Sequence, residues 1–123
     1  MTTRPDLPRL DRTDRALLLA LSRDGRQLYV ADEQRGVEIV SVSTGAVLAT
    51  IPSGGRTFGL GLGPDGWLYV TVTDLGKVLV IDPVGQVIRA TIPVGGTPRR
   101  MAFDAHGTAM IVPNEGGWVD IIR

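Results

Sequence analysis

Apolar and polar positions alternate along short stretches of the chain, the period-two signature of a strand in a sheet. Leu28 and Val30 point one way and Tyr29 the other, and Leu68, Val70 and Tyr69 repeat the arrangement. Both sides of these stretches carry apolar residues, so the sheets are expected to be covered on both faces. Another stretch alternates large with small, Phe58, Leu60 and Leu62 against Gly59 and Gly61. Between the stretches stand Arg23-Asp24-Gly25 and Pro64-Asp65-Gly66, where glycine can take positive φ and aspartate can bond its own backbone, as hairpin turns require. Thr44-Gly45 and Val84-Gly85 read as turns between the later strands. The first set of strands is therefore placed at about Leu17–Leu21 (A), Gln27–Ala31 (B), Val37–Val42 (C) and Ala46–Ile51 (D).

The pattern returns at a fixed interval. Gly25, Gly66 and Gly107 are each 41 residues apart, and a strand-like run follows every one. One unit spans 15–55 and a second 56–96, each of 41 residues. The second drops one residue between Gly66 and Tyr69 and regains one between Gly85 and Thr91, so that Thr50 and Thr91 are again 41 apart. A third unit, 97–123, follows the pattern through strand C and stops before strand D, while residues 1–14 precede the first unit. A period of about 40 to 45 residues with several short strands per unit is the mark of β-propeller blades. The expected fold is all-β, in blades of four antiparallel strands.

Particular residues add a family likeness. Tyr29-Val-Ala-Asp32, Tyr69-Val-Thr-Val72 and the degraded Ile111-Val-Pro-Asn114 resemble the Tyr-Val-Thr-Asn box of YVTN-type β-propeller repeats. Val78-Leu-Val-Ile-Asp-Pro-Val-Gly85 is similar to the segment that follows the box, and Thr91 to Gly96 with Pro98 is similar to the family's blade-to-blade connection. The resemblance covers roughly residues 15–123. It implies a propeller, but members serve as surface-layer and periplasmic binding proteins, redox-enzyme subunits and lactonase-like enzymes, so it names no activity.

Composition narrows the field. Aromatic residues are 5% of the chain, and 16 Gly with 8 Pro suit short strands and tight turns, not long helices. Thirteen basic and thirteen acidic residues cancel, leaving no net field to recruit nucleic acid or an anionic membrane. With no cysteine there are no disulfides or thiolate metal sites. The leucine-rich run from Arg15 to Ser22 is short and follows Asp11 and Asp14, which fits a first strand better than an export signal. As it stands the chain is expected in the cytoplasm, or in the periplasm or at the cell surface if a leader has been removed. No stretch approaches a membrane span.

Propellers have typically 4 to 8 blades, because wedge-shaped sheets must fill a circle. The family carries its blades on one chain, whereas about three units are present here. Two chains would make a six-bladed ring, and a homodimer is the expected partner arrangement. Leu7-Pro-Arg-Leu10 is a candidate for the missing D strand, in its own chain or the partner's. The competing reading is a fragment or an engineered half of a larger propeller.

Candidate chemistry gathers on the D-to-A and B-to-C connections. Arg15 and Arg56 occupy equivalent positions before strand A, and Arg99 and Arg100 lie close to that place in the third unit. Guanidinium groups there suit a carboxylate, a phosphate or an acidic peptide. Alternatively these arginines pair with the acidic connections, Glu33, Asp74 and Glu115. The lactonase-like relatives imply an axial divalent metal held by carboxylates and an Asn. Asn114 and Glu115 fit that set best, yet Asp32 and Val72 fill the equivalents of Asn114, so no metal or other cofactor is expected. The one histidine, His106, falls in a turn with no serine and acid to complete a triad, so no catalytic residue is assigned. The favoured function is a non-enzymatic module for self-assembly and binding of a protein or small anion. The alternative is a lactonase-like hydrolase.

Overall fold

The computed structural model describes residues 18–123, which form eleven strands and no helix. The strands are β1 (Leu18–Leu21), β2 (Gln27–Asp32), β3 (Gly36–Ser41), β4 (Val47–Ile51), β5 (Thr57–Leu62), β6 (Leu68–Val72), β7 (Lys77–Asp82), β8 (Val87–Pro93), β9 (Ala102–Phe103), β10 (Met110–Asn114) and β11 (Trp118–Ile122). They make two four-stranded sheets, β1-β2-β3-β4 and β5-β6-β7-β8, and a three-stranded sheet, β9-β10-β11. Neighbours in every sheet are antiparallel and consecutive in sequence, the meander of a propeller blade. No helix among the described residues is long and apolar enough to cross a membrane.

The period-two pattern sorts side chains between the two faces of each blade. In the first blade Tyr29 lies opposite Ile39 and Ala31 opposite Val37, so these share a face. In the second, Leu68 lies opposite Ile81 and Val70 opposite Leu79. These two faces meet, and Tyr29, Val37, Ile39, Ile51, Leu68, Val70, Val72, Leu79 and Ile81 form one buried cluster. The opposite face of the second blade packs on the third through Val78, Met110 and Val112, flanked by Tyr69, Ile92 and Phe103. Tyr69 and Phe103 meet edge to face, with centroids 5.4 Å apart.

Threonines close the joins between blades with polar contacts. Thr57 donates its hydroxyl to the carbonyl of Asp32, Thr71 to that of Arg99, and Thr73 to that of Pro98 at 2.9 Å. At the other end of the blades, the Arg23 guanidinium donates to the carbonyls of Gly63 and Pro64, tying one A-to-B turn to the next. Gly59 is required by the close approach of blades two and three, since a methyl group there would overlap the Arg99 carbonyl.

The sheet registers correct one point of the repeat. Asp32 pairs with Gly36, whereas Val72 pairs with Lys77, so the residue regained in the second unit lies in the β6–β7 turn. It was expected between Gly85 and Thr91. From β3 to β4 and from β7 to β8 the spacing is identical, Val40 opposite Val47 and Ile81 opposite Ile88. Gln86, with φ 57°, therefore takes the left-handed position that Gly45 takes with φ 73°. The Asp82 carboxylate accepts from the amides of Val84 and Gly85, holding that turn without glycine at the left-handed position.

Candidate functional site

The B-to-C turns and the D-to-A connections come together at one end of the blades. At the first join Arg56 Nη2 lies 3.1 Å from Glu33 Oε2, so the ion pair runs from the second blade's entry to the first blade's turn. Arg56 also donates its backbone amide to Asp74 Oδ1 at 2.7 Å, which locks the connection against the β6–β7 turn. Arg99 Nε is 2.7 Å from Glu115 Oε1, and the guanidinium carbon sits 5.0 Å from the centroid of Phe58. That contact is an ion pair by proximity, because the buried Nε–H is not aligned on an acceptor. Arg100 is exposed and makes no ion pair among the described residues. Arg15 lies outside the described residues, as does the segment Leu7 to Leu10.

Asn114 is the most constrained of the candidates. Its Oδ1 accepts from the amides of Thr97 at 2.8 Å and Gly116 at 2.9 Å, and its Nδ2 donates to the Gly95 carbonyl at 2.8 Å. It thus fastens the β10–β11 turn to the preceding connection. Asp32 in the equivalent position accepts from the amides of Gln34 and Arg35. Burial opposes its charge, but these amides and a hydrogen bond from Glu38 hold the carboxyl below its usual range. Among the described residues no three His, Asp or Glu side chains converge as a metal ion would need.

Arg56, Arg99 and Glu33 surround a recess of about 50 Å3 with Thr57, Phe58 and Thr73. Beside it lies an open cleft of about 630 Å3, bounded by Glu33, Arg35, Ser53, Gly54 and Arg56. The arrangement offers cations held by carboxylates, a set that can exchange one anion for another. Arg35 was missed in the sequence because nothing in its own turn marks it. His106 lies exposed in the A-to-B turn, at the opposite end of the blades from these groups.

Solved structures place this fold. Hydrazine synthase of Kuenenia stuttgartiensis aligns at 25% identity with a TM-score of 0.77, over 85% of this chain and 31% of that one. The WD40 β-propeller domain of Doa1 aligns at 19% identity and a TM-score of 0.75, over 85% of this chain and 35% of that one. Dihydro-heme d1 dehydrogenase NirN aligns at 22% identity and a TM-score of 0.64, over 86% of this chain and 25% of that one. The chain is thus built of β-propeller blades and spans between a quarter and about two fifths of the solved chains it matches. No family model matches it, and no curated protein sequence does either.

Proposed function

We propose that the chain is a non-enzymatic propeller module of YVTN-like repeats, which assembles with a second copy into a six-bladed ring and binds a protein or small anion at its rim. One observation carries this reading: apolar side chains stand exposed on the outer faces of the first and third blades. Leu19 and Leu21 are each 55% exposed on one, and Val119 and Ile121 are 58% and 55% exposed on the other. Side chains of this kind gain about 1.5–3 kcal/mol each when fully buried, so two such faces favour association.

At the rim, Arg56 and Arg99 already hold Glu33 and Glu115, so an incoming carboxylate or phosphate displaces these side chains. A protein ligand that brings acidic residues to the cleft meets the same exchange. Light scattering on the 123-residue chain tests the reading at its base. The expected mass is twice the 13.1 kDa of one chain. A soluble species of 13.1 kDa that persists at high concentration would overturn it.

A further inference from the structure

We infer that the two open faces are complementary halves of one head-to-tail join, in which the third blade of one copy receives the first blade of another as the second blade receives the third within the chain. This inference rests on the assembly proposed above and specifies which surfaces meet. Positions related by the repeat form columns, and each open residue belongs to a column that is buried inside the chain. Leu19 and Leu21 stand 41 residues before Leu60 and Leu62, which pack against the cluster between blades one and two. On the third blade, Pro113 lies opposite Val119 and Ile111 opposite Ile121. The first blade has Ala31 opposite Val37 and Tyr29 opposite Ile39 in the same places, all buried against the second blade.

At these positions the head of the chain repeats a surface that packs inside the chain, and the tail repeats its complement. Two heads or two tails would bring like columns together, for which the structure has no precedent. A head-to-tail contact closes into a ring when its rotation allows, and here it continues the existing joins.

The inner join carries the ion pair between Arg56 and Glu33, whereas Glu115, which follows Asn114 as Glu33 follows Asp32, is held by Arg99 of its own chain. The head differs from its inner counterpart at Glu38, which pairs with Val30 where Leu79 pairs with Val70.

Mixing two variants tests the inference. Leu21→Asp spoils the head and Ile121→Asp spoils the tail, and both residues are half exposed, so neither removes a fully buried side chain. Each variant alone is expected to sediment as a monomer, because every join it can make includes a spoiled face. Mixed in equal amounts, they are expected to form a one-to-one pair through the intact tail of the first and the intact head of the second. Leu19→Asp with Val119→Asp repeats the test independently, and a β-sheet circular dichroism spectrum identifies the folded variants. A dimeric wild type with either variant still dimeric alone, or with no pairing between folded variants, overturns the head-to-tail join and leaves the assembly itself intact. A monomeric wild type overturns both.

Discussion

Tyr69 donates its hydroxyl to Asp65 Oδ2 at 2.5 Å, and burial, followed by this hydrogen bond, pushes its pKa up to about 12. Burial first, and the charge of Asp24 second, also raises Tyr29 above the ordinary 10.0. The folded chain therefore holds both phenolic protons more tightly than the unfolded chain does. This part of the stability is complete below about pH 10 and is lost as pH rises through the folded values, reaching about 12 for Tyr69. Ultraviolet titration should show phenolate appearing at higher pH in the native protein than in denaturant, and coincident curves would contradict it. Carboxylates give the opposite sign. Asp24, Asp82 and Asp104 are lowered mainly by the Arg26 amide, the Gly85 amide and the Thr108 hydroxyl respectively, so their contribution is present above about pH 4 and fades as pH falls below it. Asn114 makes a sharper case because it is buried with three hydrogen bonds. Asn114→Ala should lower the unfolding free energy by about 1–3 kcal/mol, by stranding the polar groups it serves. Asn114→Asp retains the two accepted bonds but sets a carboxylate oxygen against the Gly95 carbonyl in place of the donor, so chemical denaturation should rank it below wild type.

The strands were legible from period-two alternation and glycine turns, because those signals arise within a few residues of each other. Strand A was expected at Leu17–Leu21 and β1 runs over Leu18–Leu21, while strand C, expected at Val37–Val42, is β3 at Gly36–Ser41. A left-handed backbone is not marked by a glycine in every turn: the counterpart of Gly45 in the second blade is Gln86, one residue after Gly85. The candidate site was less legible for a similar reason. Arg99 and Glu115, or Asn114 and Thr97, are far apart in the chain and meet only when the connections fold onto the turns. Packing between elements gives the next prediction. Leu68 is fully buried where the first and second blades meet, whereas Val84 is 90% exposed in the β7–β8 turn. Leu68→Ala should cost about 2–5 kcal/mol through lost burial and a residual cavity. Val84→Ala should stay within about 0.5 kcal/mol of wild type. Equal effects in a denaturant series would mean that the joins between blades do not hold the chain together.

For the whole molecule, the proposed ring couples folding to association. Each blade has apolar residues on both faces, so a blade at the end of an arc is left half covered until something packs on it. If a second copy supplies that cover, unfolding one assembly releases two chains, and the equilibrium follows mass action. A tenfold rise in protein concentration then adds about 1.4 kcal/mol per mole of dimer, the factor-of-ten free energy at room temperature. For an assembly of this size the melting temperature should climb by about 3 to 6 °C per tenfold step. Scanning calorimetry across two decades of concentration measures this directly. Leu21→Asp should abolish the slope while keeping a cooperative transition, because it spoils the join without emptying either inner cluster. A melting temperature that does not move with concentration in the wild type would mean that the open faces bind no second copy, and the ring would then have to be built from blades of another kind.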